Sequence, residues 1–231
     1  MPGERLQGAA TGAPSITLSF DNGPEPEVTP GVLEVLRRRG LPATFFVLGH
    51  KLATHRALAE RAHAEGHWIG NHTWSHAGPL GDAPGGAAAA EAEIARTQEL
   101  IGDLSHEHRL FRPQGGGGAL GPHLLSQAAL DLLTHGAFTC VLWNAVPGDF
   151  RDPDGWVDRA LDMCRGPEPV VLVLHDLPNN AMRHLDRFLG RLADQGARFT
   201  QEFPDSCVPL RRGIATGPVT NYVNSRAGAS A

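Results

Sequence analysis

Short apolar runs alternate along the chain with longer segments in which apolar residues recur at helical spacing. The apolar runs predict strands at residues 16–20, 42–49, 68–70, 110–112, 138–143, 170–174 and 197–200. The amphipathic segments predict helices at residues 29–39, 54–65, 87–103, 122–135, 153–164 and 182–195. About seven alternating units of this kind imply an α/β fold with a parallel sheet, either open or closed into a barrel.

Particular residues mark the ends of some predicted elements. Thr29 followed by Pro30 predicts a helix start with Thr29 as the N-cap, and Gly66 predicts a helix end. The last stretch, residues 213–231, is small and polar. It predicts a tail that either wraps the surface or lacks fixed structure.

Composition narrows the function classes. The 231 residues are 41% hydrophobic and 19% charged, which suits a globular domain with a substantial core. A net charge of -5 argues against nucleic acid as a partner, since no basic block supplies phosphate contacts. No apolar run has the length of a membrane segment or of a signal peptide, so we expect a cytoplasmic protein. The 3 cysteines are widely spaced and predict free thiols.

Polar side chains follow the predicted strands one after another. The groups in these positions are Asp21 and Asn22, His72 and His76, Arg112, Asn144 and Asp149, and finally His175 and Asp176. The carboxyl ends of parallel strands lie on one face of an α/β fold, where such folds place their active sites. We therefore expect these side chains to converge on one site.

His72 and His76 are separated by four positions. If His76 falls on a helical turn, both imidazoles can face one cation, as in zinc sites that use this spacing. The alternative is a pair of hydrogen-bonded loop histidines, and it would be preferred for an isolated motif. The neighbouring strand-end groups favour a metal site.

Asp21, Arg112 and His175 form a candidate acid–base set. Asp21 precedes a Gly-Pro turn, and its carboxylate can accept a proton from water or bind a metal itself; simple turn chemistry is the alternative. Arg112 can keep Asp21 ionised, unless it forms only a surface ion pair. His175 ends an apolar strand and can donate a proton to a leaving amine, the alternative being a core histidine.

Five ordered segments, SFDNGP, HTWSH, FRPQG, WNAVPGDF and LHD, resemble the motifs of the polysaccharide deacetylase family, the NodB-homology domain of carbohydrate esterase family 4. The resemblance spans about residues 15–200. It implies a distorted (β/α) barrel with about seven parallel strands, in agreement with the periodicity. It also implies hydrolysis of N-acetyl or O-acetyl groups on a sugar, oligosaccharide or polysaccharide, with a divalent metal, foremost zinc, with cobalt or nickel as alternatives.

Carried over by position, the resemblance assigns a role to each motif residue. Asp21 matches the general base, Arg112 the residue that orients it, and His175 the general acid. The metal ligands are His72 and His76, with Asn22 as the third. The substrate-binding residues are Leu174 in the acetyl pocket, together with Asp149 and Trp143.

The chain departs from the family pattern at three motifs. Asn22 stands where the family has a metal-binding aspartate, so we expect weaker metal binding. The fourth motif lacks its first acid, which leaves the tuning of the catalytic histidine to Asn144 or Asp176. Gln114 and Gly115 replace a Pro-Tyr pair, which predicts a more open groove wall.

We divide the chain into a flexible N-terminus (1–14), a deacetylase-like catalytic domain (15–212) and a polar C-terminal tail (213–231). The leading hypothesis is a metal-dependent deacetylase of acetylated sugars. One alternative is a hydrolase of cyclic amides or ureides, favoured by the cytoplasmic character and disfavoured by the histidine pair. The other is a catalytically impaired carbohydrate-binding module, suggested by the altered motifs.

Overall fold

A curled sheet forms the centre of the protein in a computed structural model that describes residues 13–225. Its strands, with a separate small pair formed by β5 and β11, are β1 Ser15–Gly23, β2 Thr44–Val47, β3 Trp68–Asn71, β4 Leu110–Phe111, β5 Leu125–Ser126, β6 Thr139–Cys140, β7 Val170–His175, β8 Arg198–Thr200, β9 Leu210–Arg211, β10 Ile214–Ala215 and β11 Val223–Asn224. The helices are α1 Thr29–Arg39, α2 Gly49–Ala64, α3 Gly86–Ala90, α4 Arg96–Ile101, α5 Gln127–His135, α6 Trp156–Met163 and α7 Leu185–Asp194, with a π turn at Glu91–Ala95 between α3 and α4.

The parallel part of the large sheet contains β6, β4, β3, β2, β1 and β7 in that order, with β8 pairing in parallel to β1. The strands β9 and β10 extend the β6 side in antiparallel fashion. At the other edge, Ala145 pairs with Leu172 of β7, and the N–H of Val173 donates to the Ala145 carbonyl at 2.9 Å. This contact brings the segment after β6 against β7 and closes the curled sheet, which confirms the predicted distorted barrel.

Side-chain alternation along β7 separates two parts of the core. Leu172 and Leu174 pack with Phe188 and the other apolar residues of α1, α6 and α7. Val171 and Val173 face the opposite side. Since consecutive residues of a strand point to opposite faces, Leu174 and His175 cannot line the same cavity.

Helix α1 has the predicted bounds, but its predicted cap is wrong. Val28 occupies the N-cap position, and no side-chain hydrogen bond caps the helix. The Thr29 hydroxyl donates instead to a carboxylate oxygen of buried Asp176 at 2.5 Å. Because a buried carboxylate needs a donor more than an exposed helix end does, Thr29 serves the core rather than the helix.

Helix α2 begins at Gly49, earlier than predicted, and contains a non-helical residue at His55. This break lies beside the predicted start at residue 54. The helix ends at Ala64, and Gly66 adopts a left-handed conformation with φ 89°, as its position after the helix predicts.

Residues 213–225 belong to the domain rather than to a loose tail. The strand β10 pairs with β9, β11 pairs with β5, and Val219 and Val223 are buried. The structured domain therefore continues past the predicted boundary at 212, and the surface-wrapping alternative describes this segment. Residues 1–12 and 226–231, which include most of the predicted flexible N-terminus, lie outside the described residues.

The 3 cysteines are free and buried, as predicted. Among residues 13–225, no helix has both the length and the apolar character needed to cross a membrane.

Candidate active site

Asp21 lies near the carboxyl end of β1 and is 4% exposed. Its Oδ1 accepts a hydrogen bond from Nη1 of Arg112 at 2.8 Å, and its Oδ2 lies 3.5 Å from Nε2 of His72. Burial by itself raises the pKa of Asp21, but the charge and hydrogen bond of Arg112, together with the effects of His72 and His175, outweigh it and hold the pKa below the usual carboxyl value. Asp21 is therefore ionised at neutral pH, with Oδ2 as the oxygen not bonded to Arg112.

Arg112 is fully buried, which excludes the surface ion pair considered above. Besides Asp21, its guanidinium donates to the Ser19 hydroxyl at 2.7 Å and to the carbonyls of Val141 and Leu142 at 3.4 and 3.5 Å. These bonds reach β1 and the segment after β6. Arg112 thus fixes the orientation of Asp21 across the centre of the barrel.

The main chain of Arg112 also orients His72. The Arg112 carbonyl lies 2.8 Å from Nδ1 of His72. Because a carbonyl can only accept, Nδ1 carries the proton and Nε2 presents a lone pair. The His76 ring lies 5.0 Å from the His72 ring, and burial, followed by the nearby His72, lowers the pKa of His76 to about 3. Both imidazoles are therefore neutral, the state in which they bind metal ions.

The chain between these histidines is not helical, so the predicted helical turn is wrong. Thr73 and His76 have left-handed φ values of 72° and 54°. The Glu93 carboxylate, in the π turn between α3 and α4, accepts from the N–H groups of Trp74 and Ser75 at 2.9 and 2.8 Å. This carboxylate fixes an irregular loop that brings the two rings together without a helix.

Asn22 provides an oxygen next to the two imidazoles. It has a left-handed φ of 71°, and its buried Oδ1 has no hydrogen-bond partner among the described residues. Within residues 13–225, no three His, Cys, Asp or Glu side chains are arranged to hold a metal ion, and the Asn22 amide oxygen is a candidate for the third protein donor. Two neutral imidazoles and an unpartnered amide oxygen suit a divalent ion of the zinc type.

His175 lies at the end of β7 and opens onto the same cleft. Its Nδ1 lies 2.9 Å from Oδ1 of Asp149, and its main-chain N–H donates to Oδ2 of Asp149 at 2.8 Å. Burial lowers the pKa of His175, but the hydrogen bond and charge of Asp149 outweigh it and raise the pKa above the ordinary value. His175 therefore tends to carry a proton, with Nε2 as its free nitrogen.

Five of these residues, Asp21, Asn22, His72, His76 and His175, line one cleft of about 280 Å³. Its walls are formed by the reacting groups, by the glycine-rich loop that follows Arg112, and by apolar side chains. The wall residues other than Asp21, Asn22, His72, His76 and His175 are Pro113, Gln114, Gly115, Gly116, Gly117, Gly118, Trp143, Val146, Phe150, Arg151, Val173 and Leu177.

Comparison with known proteins identifies the family. A model described as polysaccharide deacetylase matches residues 8–130. The chain belongs to the polysaccharide deacetylase family. Membership confirms the family expected from the motifs and the expected enzyme class, a deacetylase among the hydrolases.

The chain matches most of the length of one curated relative but only about a third of another. The chain is 35% identical over 181 residues to a chitooligosaccharide deacetylase of Rhizobium leguminosarum bv. phaseoli, covering 75% of this chain and 72% of that protein. It is 32% identical to the peptidoglycan-N-acetylmuramic acid deacetylase PdaC of Bacillus subtilis, covering 78% of this chain but only 36% of that relative's length.

The fold agrees with solved structures of the family. A family 4 carbohydrate esterase from Streptomyces lividans, in complex with acetate, superimposes with a TM-score of 0.69 at 27% identity. The match covers 84% of this chain and 95% of that chain.

Two substrate-binding assignments made from the family motifs are wrong. Leu174 is fully buried on the helix side of β7, and Val173 lines the cleft instead, because alternation places Val173 on the face opposite Leu174. Asp149 is fully buried behind His175 and does not line the cleft. Trp143 does line it.

The expectation that Asn144 or Asp176 tunes His175 is also wrong. Asn144 bonds to the main chain of Val171 and Pro169, and Asp176 bonds to Thr29. The retained acid of the fourth motif, Asp149, holds His175 itself. Because 26 residues separate Asp149 from His175 in the chain, no local sequence pattern indicates this contact.

Replacing Asp149 with asparagine should lower the pKa of His175 below the ordinary histidine value of about 6.5, because burial is then opposed only by the smaller effect of the Asp21 carboxylate. The alkaline limb of the pH–rate profile should move toward lower pH. Titration of the His175 ring by NMR checks this. Asp152→Asn, an exposed acid three positions along, is the control, and an unchanged His175 titration in Asp149→Asn would contradict the assignment.

Proposed function

We propose that the protein hydrolyses the N-acetyl group of an amino sugar in an oligosaccharide or glycan, releasing acetate and a free amine. The observation that carries this proposal is the pairing of Asp21 with His175. These residues are register partners on the neighbouring strands β1 and β7, and both open onto the cleft that holds Asn22, His72 and His76.

The two groups are suited to opposite proton transfers. The pKa of Asp21 is lowered, mainly by Arg112 against the opposing effect of burial, and the pKa of His175 is raised by Asp149 against burial. A pair of titratable groups whose environments separate their pKa values in this way is the usual arrangement of a base and an acid.

The reaction follows from these protonation states. Oδ2 of Asp21 accepts a proton from a water molecule while the oxygen of that water forms a bond to the acetyl carbon. As the carbon–nitrogen bond breaks, Nε2 of His175 gives its proton to the leaving amine. Arg112 keeps Asp21 oriented, and Asp149 keeps the imidazole of His175 oriented, throughout both transfers.

Asn22, His72 and His76 would hold the divalent ion, which supplies Lewis-acid polarisation of the acetyl carbonyl when bound. An amide oxygen brings no negative charge, so we expect weaker binding than with a carboxylate in this position. Zinc as the ion and a cytoplasmic location remain predictions from the sequence.

Acetate release from an N-acetylglucosamine tetramer tests the proposal. Zinc-loaded protein should release acetate, and removal of the ion by a chelator should abolish release until zinc is restored. Equal rates after metal removal would contradict the metal-dependent mechanism. Tetramer binding without acetate release from any acetylated sugar, unchanged in Asp21→Ala, would support a carbohydrate-binding module instead.

A further inference from the structure

One wall of the cleft carries a guanidinium that the proposed chemistry does not use. Arg151 lines the cleft and is exposed, and its guanidinium has no hydrogen bond or ion pair with any other group of residues 13–225. Its guanidinium carbon lies 5.0 Å from the centre of the Phe150 ring. Nearby Arg159 is different, since it is paired with Asp152 at 2.9 Å. Arg151 therefore brings an uncompensated positive charge to the substrate cleft.

The glycine-rich loop packs directly against this cation. Gly117 has a φ of 106°, and a Cβ at this position would collide with Nη2 of Arg151. The absence of a side chain lets the main chain approach the guanidinium. The N–H groups of Gly115, Gly116 and Gly117 donate to no acceptor among the described residues. The wall thus combines a cation with main-chain N–H groups available for hydrogen bonding.

Gln114 adds an acceptor to the same wall. Its Oε1 is buried without a hydrogen-bond partner among the described residues, and the residue lines the cleft. A buried acceptor of this kind is costly unless a ligand donates to it. A hydroxyl or amide N–H on a sugar is such a donor, while a carboxylate on the same sugar would meet Arg151.

The acidic groups around Arg151 do not cancel its charge. Asp149 is bonded to His175 through both carboxylate oxygens, and Asp152 is held by Arg159. The protein as a whole has a net charge of -5, so an acidic ligand gains no general attraction to its surface. Binding of an acid in this cleft therefore depends on a local cation, and Arg151 is placed to provide it.

We propose that Arg151 and the loop at residues 115–118 form a carboxylate-binding subsite, with Gln114 accepting from a hydroxyl or amide N–H of the same sugar, so that the preferred substrate is an acidic N-acetylated glycan. This inference rests on the proposed deacetylase function and specifies its substrate class. Arg151 recognises substrate and takes no part in proton transfer.

Three tetrasaccharides of equal length test the subsite. The first is a neutral N-acetylglucosamine oligomer, and the second alternates N-acetylglucosamine with N-acetylmuramic acid, which carries a carboxylate. The third is the second with its carboxylates converted to methyl esters. We expect the wild-type protein to have a kcat/KM for the acidic compound roughly tenfold above that for its ester, mainly through KM, because a hydrogen bond to a charged group is worth that much.

Arg151→Gln should remove this preference, because the fall in kcat/KM on the acidic compound should exceed any change on the ester and the neutral oligomer by roughly tenfold. Arg151→Lys, which retains the charge, should keep part of the preference for the acidic compound. Arg191→Gln is the control, because Arg191 pairs with Asp158 on the outer helices and lies away from the cleft. It removes one positive charge and should leave the preference intact.

The outcomes separate the two proposals. Release of acetate from all three compounds without preference for the acid, or an equal effect of Arg151→Gln on all three, would overturn the carboxylate subsite while leaving the deacetylase function standing. Absence of acetate from every compound with wild-type, zinc-loaded protein would overturn the proposed function itself.

Discussion

Asp21→Asn is expected to lower kcat for acetate release by roughly a thousandfold, the contribution of a positioned general base. Asparagine keeps the shape of the side chain, and its Oδ1 can still accept from Arg112, but its other terminal atom is an NH₂ group that cannot accept a proton. The loss should therefore fall on kcat more than on KM, because substrate contacts in the cleft are unchanged.

The measurement is acetate release under saturating substrate, with bound zinc determined on the same samples. Asp131→Asn is a matched control, because Asp131 is an exposed acid on α5 whose carboxylate, among the described residues, accepts only from Gln127. A value of kcat within tenfold of wild type, at equal metal content, would show that Asp21 is not the base.

Arg112→Met is expected to destabilise the fold by about 3–5 kcal/mol and to abolish activity, because it leaves the buried Asp21 carboxylate without its cation. The contribution of Asp21 to folding stability depends on pH in a definite direction. A carboxyl with a lowered folded-state pKa stabilises the protein above its unfolded pKa and loses that contribution as pH falls through the folded pKa. The gap between wild type and variant should thus be widest at neutral pH and narrow under acidic conditions.

Denaturant unfolding of the wild-type and Arg112→Met proteins, measured from neutral to acidic pH, checks the prediction. The double variant carrying Asp21→Asn and Arg112→Met should recover part of the lost stability, since it buries no unpaired charge. Arg191→Met, which breaks an exposed pair with Asp158, should have little effect. A constant gap at all pH values would contradict the role given to the Asp21–Arg112 pair.

The sequence placed the reacting groups on one face of the barrel correctly, because parallel topology leaves little freedom in that respect. Asp21 and His175 follow apolar runs, and those runs became adjacent strands β1 and β7. The same alternation rule, applied within β7, would also have placed Val173 rather than Leu174 on the side opposite the helices. A family motif does not by itself specify which face of the strand each residue occupies, so it placed Leu174 in the acetyl pocket.

Other features depended on contacts that no local pattern contains. The loop holding His72 and His76 takes its shape from Glu93, which lies 19 residues after Trp74 in the chain. The partner of His175 is the acid that the motif retained, and only the fold brings Asp149 against it. Irregular loops and long-range polar contacts have no periodicity, so they emerge only when the barrel is assembled.

The proposed base and acid, Asp21 and His175, lie at paired positions of adjacent strands, and the N–H of Asp176 donates to the Asp21 carbonyl at 2.9 Å. Their separation is therefore a property of the strand ladder, whereas the substrate wall at residues 114–118 and 146–151 is built from loops. Loops accept insertions and exchanges that a central ladder does not. Substitutions and insertions in these loops can thus change which acetylated glycan the barrel accepts, while the proposed proton-transfer pair stays unchanged.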